Sequence, residues 1–175
     1  ESNLNYEKKD FTLVTYFTAE NHLSIGNSLY ELKEVRIHVP SEHLIDGKKF
    51  NAEFQLVHKN IDGKIIIVSV LAVKGKKNIL LESYFQYMEN LFETDTGKVD
   101  LKESFDPSGF LSGTDHYFYY KGSFTYPPCT ENIDWIVLSK PLEISYDQIK
   151  AFLPFVNTNT RVVQKINKRD VEIKK

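Results

Sequence analysis

The sequence has one cysteine, Cys129, so no disulfide can form within it. It has no apolar run near the roughly 20 residues that a membrane-spanning helix needs, which excludes membrane insertion by such a helix in this segment. It has no excess of charge of one sign: the formal net charge is -2, so nothing draws the whole chain to nucleic acid or to an anionic membrane. It has no internal repeat and no low-complexity tract, which excludes a solenoid or a disordered linker protein. No secretory leader is recognisable from Glu1 onward, which leaves open one removed upstream. Arginine is scarce beside lysine, with Arg36, Arg161 and Arg169 the only three.

What is present is the composition of an ordinary globular protein, rich in aromatics. The 175 residues fit one domain, and a chain of this size buries roughly 70% of its unfolded surface. Residues 1–9 are polar and read as a frayed or linker segment. Residues 11–17, 28–39 and 50–59 read as strands, with turn signals at Gly26-Asn27, Asp46-Gly47 and Asp62-Gly63. Residues 64–73 contain Ile65-Ile66-Ile67-Val68, a nearly continuous apolar run that predicts a strand buried on both faces. Asn78 is placed to cap a helix in which Leu80, Leu81, Tyr84, Met88, Leu91 and Phe92 recur at helical spacing. Residues 105–113 read as a loop, 116–121 and 135–138 as strands, and Ser145 as the cap of a short helix running to Phe152. The lysines at 74, 76 and 77 and the basic stretch 165–175 read as solvated turns and tails.

One stretch stands out chemically. It runs Val35-Arg36-Ile37-His38-Val39-Pro40-Ser41-Glu42-His43, turns at Asp46-Gly47, and returns as Ala52-Glu53-Phe54-Gln55-Leu56-Val57-His58. Side chains alternate along a strand, so Glu34, Arg36 and His38 share one face, as do Glu53, Gln55 and Val57 on the return. Two neighbouring strands thus aim carboxylates, a guanidinium, an imidazole and an amide at one patch. Such a patch is not ordinary core.

This stretch resembles the alpha-class carbonic anhydrases, whose pattern is His-x-His-x-Pro-Ser-Glu-His, a turn, then Ala-Glu-x-His-x-Val-His. A second segment is similar to the same family: Tyr120-Lys121-Gly122-Ser123-Phe124-Thr125-Tyr126-Pro127-Pro128-Cys129-Thr130-Glu131, followed by Trp135-Ile136-Val137-Leu138. Gln148, Phe152, Arg161, Gln164, Asn167 and Arg169 match its C-terminal signature. The resemblance implies a mostly β (α+β) fold: a large, twisted, mostly antiparallel central sheet with short peripheral helices, forming a single domain over residues 1–175. It also implies that the domain's first segment lies upstream of Glu1.

The family holds a catalytic zinc with three histidines. Laid on this chain, those positions are Arg36, His38 and Gln55. A guanidinium has no acceptor, and an amide oxygen is a poor substitute for imidazole on zinc. The resemblance therefore implies a degenerate zinc site, no cofactor, and a non-catalytic domain rather than an enzyme. His38 reads as a hydrogen-bonded core histidine. Glu42, Glu53 and Thr125 fall on the family's supporting positions, with Thr125 and Glu42 expected to hydrogen-bond. Phe11, at the proton-shuttle position, and Phe124 and Tyr126, at the mouth, are expected to fill the cavity. Arg36 is expected inside the fold, bonded to Glu34, Glu42 or Glu53. Secreted relatives bond the cysteine at the position of Cys129 to one near the N-terminus, which makes Cys129 a disulfide candidate. The resemblance then points to a secreted or cell-surface module that binds a protein or a sulfated glycan. The alternatives are a subunit or domain of a larger assembly, or a carbonic anhydrase with an altered metal site.

Overall fold

The computed structural model describes residues 2–9, 12–17, 21–89, 98–111, 113–156 and 160–174. In chain order the strands are β1 (Ser2–Lys9), β2 (Thr12–Phe17), β3 (His22–Ile25), β4 (Ser28–His38), β5 (Ala52–Lys59) and β6 (Ile65–Lys74). Helix α1 (Glu82–Glu89) precedes β7 (Lys98–Phe105) and a 3-10 turn at Pro107–Phe110. Then come β8 (Tyr117–Ser123), β9 (Glu131–Leu138), β10 (Leu142–Ile144), α2 (Tyr146–Phe152) and β11 (Val171–Lys174). All the strands join one sheet, whose main path is β11-β8-β9-β6-β5-β4-β2-β1-β7.

The middle of that path is an antiparallel meander, β4-β5-β6. Its hydrophobic pattern sets the layers. Val35, Ile37, Phe54, Leu56, Val68, Val70 and Ala72 alternate onto one face and build the main core. That core is closed by α1, α2 and the 3-10 turn. The Phe54 ring lies 4.9 Å from Phe110 and 5.6 Å from Phe152, centroid to centroid. Each side chain fully buried there contributes about 1.5–3 kcal/mol. The other face carries a small apolar cluster of Val57, Ile67, Ile133 and Trp135. Beside it lie the polar residues Arg36, His38, Glu53, Gln55 and Ser69, all buried. A strand with apolar side chains on one face and a buried polar set on the other must satisfy that set internally. This requirement shapes the site.

The sheet is mostly antiparallel, as the resemblance implies, but β6 takes parallel partners in β9 and β10. Strand β6 is buried nearly end to end, in keeping with its apolar run. Ser145 caps α2 with a full capping box: its side chain accepts from the Gln148 N–H, and Gln148 reaches back to the Ser145 N–H.

Three expectations are corrected. Residues 1–9 are not a frayed linker, because Ser2–Lys9 forms a strand between β2 and β7. Ladder pairing on both sides satisfies the backbone whatever the polarity of the side chains. Residues 98–105 form strand β7, although the sequence pattern places no strand there and reads Phe105 as the start of a loop; pairing with β1 makes it a strand. The helix starts at Glu82 rather than after Asn78, whose Oδ1 accepts from the Leu81 N–H in the turn before it. Leu80 is consequently 71% exposed and not part of the core. Leu91 and Phe92 lie outside the described residues, as does Phe11.

Candidate functional site

Strand alternation fixes the site's floor. Arg36 pairs with Gln55 across β4 and β5, and His38 pairs with Glu53. Gln55 in turn faces Ser69 on β6. All four polar side chains of β4 and β5 therefore point to one side, with the Ser69 hydroxyl beside them.

Glu53 is the hub. It is fully buried and accepts five hydrogen bonds. Oε2 takes the backbone N–H groups of Glu42 and His43, both at 2.8 Å. Oε1 takes His43 Nδ1 at 2.7 Å, Gln55 Nε2 at 2.9 Å and Ser69 Oγ at 2.9 Å. One carboxylate thus pins the loop after β4 to β5 and β6. Burial alone would raise its pKa, but the His43 charge and hydrogen bonds hold it far below the usual carboxylate range. For His43, burial pulls the pKa down, and the Glu53 charge and hydrogen bond more than offset it, so the value is raised. Its other ring nitrogen bonds the Tyr120 hydroxyl at 2.7 Å, and Tyr120 stacks on Trp135.

Glu42 is equally committed. Oε2 accepts from Gln55 Nε2 at 2.8 Å, and Oε1 accepts from the Arg161 backbone N–H at 2.9 Å. The expected Thr125–Glu42 hydrogen bond is not made. Glu42 Oε1 accepts instead from a backbone N–H 119 residues away, and Thr125 Oγ1 is buried without a partner.

Arg36 is 2% exposed. Its Nε donates to Glu34 Oε1 at 2.7 Å, while Glu42 and Glu53 are taken by other donors. The Tyr126 ring lies over the guanidinium, 3.6 Å from Cζ to the ring centroid, and the Tyr126 hydroxyl donates to Glu34 at 3.3 Å. Burial drives the Tyr126 pKa up. Phe124 packs at 4.7 Å from Tyr126, centroid to centroid, and also against the Trp135 cluster. Arg36 Nη1 has no hydrogen-bond partner. Neither has His38, on either ring nitrogen; its Nδ1 lies 3.5 Å from Glu42 Oε1. The reading of His38 as a hydrogen-bonded core histidine is therefore corrected.

A zinc of the kind the resemblance implies needs three imidazoles. Here the three positions supply a paired guanidinium, one imidazole, and an amide whose nitrogen is held by two carboxylates. These donors do not fit that centre. Among the described residues no group of three or more His, Cys, Asp or Glu could hold a metal.

The sequence reading does not include Ser69 in the site, nor the backbone contact of Arg161. Ser69 was legible as a lone polar residue inside an apolar strand. The Arg161 contact runs through its backbone and left no signal. Cys129 has no cysteine partner in this chain, and it adopts a left-handed backbone, φ 57°. Beside the floor, Glu42, His43, Tyr120, Thr125 and Arg161 line a cavity of about 680 Å³.

Comparison with known proteins bears on what this site belongs to. The profile of the eukaryotic-type carbonic anhydrases matches residues 5–175. A carbonic anhydrase of Neisseria gonorrhoeae is 36% identical over 159 residues, covering 90% of this chain and 62% of that protein. The crystal structure of dioscorin complexed with ascorbate superposes with a TM-score of 0.90 at 29% identity, covering 99% of this chain and 74% of that one. The alpha-carbonic anhydrase of Thermovibrio ammonificans, with the inhibitor sulfanilamide, gives a TM-score of 0.88 at 30% identity, covering 97% and 74%. The chain thus spans under two thirds of the length of curated relatives such as Dioscorin DB3S, of which it covers 60%. These relatives overturn the expectation that the chain is not an enzyme, since proteins named carbonic anhydrase stand at 30–36% identity to it. On the profile match, the sheet and the retained frame around Glu53, the chain belongs to the eukaryotic-type carbonic anhydrase family.

Proposed function

We propose that this chain carries the working site of a carbonic anhydrase-family enzyme, and that the site lies on the polar face of β4, β5 and β6. The species it handles is small and of the carbon dioxide and bicarbonate class. What supports this most is the agreement with named alpha-carbonic anhydrases over nearly the whole chain. The retained Glu53 hub keeps the floor rigid, as a positioned site requires. The donors at Arg36, His38 and Gln55 do not fit zinc. The test is oxygen-18 exchange between carbon dioxide and water, run on the full-length protein. The reading expects exchange faster than buffer, lost in Arg36→Gln. Folded protein that leaves the buffer rate unchanged would overturn it.

A second role is favoured by the surface. The ammonium groups of Lys74 and Lys150 flank the exposed Tyr146 ring at 5.1 and 4.5 Å from its centroid. This cationic aromatic patch suits a sulfated glycan on a secreted or surface-displayed protein. Retention on immobilised heparin, weakened by Lys74→Ala with Lys150→Ala, tests it; elution of both proteins at the same salt would remove it.

A further inference from the structure

The turn before α1 displays two consecutive aliphatic side chains to solvent. Ile79 is 80% exposed and Leu80 71%. The residues on either side hold them there. The Asn78 N–H donates to Gln148 Oε1 at 2.9 Å, its C=O accepts from Gln148 Nε2 at 2.8 Å, and its Oδ1 accepts from the Leu81 N–H at 3.2 Å. Leu81 is fully buried. The Leu80 backbone packs on the 3-10 turn, where a Cβ added at Gly109 would lie 3.4 Å from the Leu80 carbonyl oxygen. The aliphatic pair therefore rides on an anchored loop, and its exposure is built into the fold.

Gln148 belongs to α2, so the same anchors bring the outer face of that helix alongside. Tyr146, Lys150 and Leu153 recur at spacings of four and three, which puts them on one helix face; Leu153 keeps helical backbone angles. All three are exposed. Lys74 and Lys150 flank the Tyr146 ring, and the exposed Lys76 and Lys77 lead into Asn78. Lys77 pairs with Glu82 at 2.6 Å. Among the described residues no carboxylate pairs with the ammonium of Lys74, Lys76 or Lys150. Glu143 accepts from the Lys76 backbone N–H and Asp147 stands in the first turn of α2, so the excess of positive charge is modest and the apolar side chains must carry much of any contact. Single apolar residues scattered on a surface are ordinary, whereas a cluster of them marks a contact surface.

We propose that the loop at residues 76–80 and the outer face of α2 dock this chain onto an anionic lipid bilayer, with Ile79 and Leu80 entering the boundary between headgroups and acyl chains. A bilayer uses every part of the surface. Aliphatic side chains partition into the acyl boundary, a tyrosine ring sits at the interface, and lysines reach lipid phosphates and carboxylates along their apolar stems. A sulfated glycan would meet the lysines and the ring but leave Ile79 and Leu80 in water. A second copy docked face to face would set the same lysines against one another. No helix among the described residues is long and apolar enough to cross a membrane, and the contact proposed is peripheral. It goes beyond the proposed catalytic role and does not depend on it.

The test is co-sedimentation of the full-length protein with vesicles of phosphatidylcholine mixed with phosphatidylserine, and with vesicles of phosphatidylcholine alone. Saturable binding to the mixed vesicles is expected, with much weaker binding to the neutral ones. Ile79→Ser combined with Leu80→Ser should weaken binding at least about tenfold, while thermal unfolding and oxygen exchange stay as in the wild type, because both side chains already face solvent. Lys74→Ala combined with Lys150→Ala should weaken it severalfold, an effect that shrinks as salt is added. A Leu80→Trp variant should shift its fluorescence to the blue when mixed vesicles are added, which reports entry of that side chain directly. Wild type that fails to bind the mixed vesicles, or serine variants that bind as well as wild type, would overturn the proposal. Equal binding to neutral vesicles would overturn the requirement for anionic lipid. Retention on heparin without vesicle binding would assign the surface to a glycan instead.

Discussion

Replacing Glu53 with glutamine removes a charge and little volume, so its effect isolates the hub. The single oxygen of the new amide can still accept from the Glu42 and His43 backbone N–H groups. The other end becomes an NH2 group facing His43 Nδ1, Gln55 Nε2 and Ser69 Oγ. The Ser69 hydroxyl can rotate and His43 can change tautomer. Gln55 cannot turn away without breaking its bond to Glu42 at 2.8 Å. At least one buried donor is then unsatisfied, and the ion pair with His43 is gone. Together these cost about 3–5 kcal/mol. For a domain of this size that lowers Tm by roughly 10 °C. The assay is urea unfolding at neutral pH together with NMR titration of the His43 ring. In the wild type the Glu53 charge raises the His43 pKa against burial. In Glu53→Gln burial prevails over the remaining Glu42 charge, and the pKa falls below its ordinary value. A loss under about 1 kcal/mol, or a His43 that still titrates high, would refute the hub.

The pH dependence of stability has a worked sign. His58 is buried, and desolvation lowers its pKa from 6.5 to about 4. The unfolded chain then binds more protons between those values, so His58 makes stability fall by about 3 kcal/mol as pH drops from 6.5 to 4. Glu53, held low, adds to the loss below its unfolded value, whereas His43, held high, contributes stability that is lost as pH rises through its folded pKa. Melting temperature against pH should therefore fall on the acid side, and His58→Gln should flatten that fall. Arg36→Ala should destabilise by about 2–4 kcal/mol, toward the low end because Glu34 retains 14% side-chain exposure; urea midpoints measure it. Gly122→Ala places a Cβ 2.8 Å from the Tyr120 ring and 3.0 Å from the Trp135 ring, two stacked aromatics with no room to shift. A loss of about 1–3 kcal/mol is expected, accompanied by a change in the fluorescence of the single tryptophan.

Much of the floor was legible from the alternation of β4 and β5, which alone puts Arg36, His38 and Gln55 on one face. The Ser145 cap and the buried β6 were readable for the same reason: the signal lies within a few residues. What was lost depends on distant pairing. Strands β1 and β7 carry polar sequences such as Ser2-Asn3-Leu4-Asn5 and Lys98-Val99-Asp100, and they become strands by pairing with each other across the fold. Glu42 Oε1 pairs with a backbone N–H from the C-terminal region, and Thr125 is left without the partner the resemblance implied. The family's pattern places residues, but it does not say which hydrogen bonds survive once Arg36 and Tyr126 stand among them.

The three arginines of this chain make the central claim directly observable. Nitrogen-15 NMR of the arginine side chains, recorded while bicarbonate is added to the full-length protein, reports which guanidinium meets the anion. A saturable shift of the Arg36 resonances is predicted, with Arg161 and Arg169 unmoved. Shifts confined to Arg161 and Arg169, or an Arg36 signal that stays fixed, would contradict it.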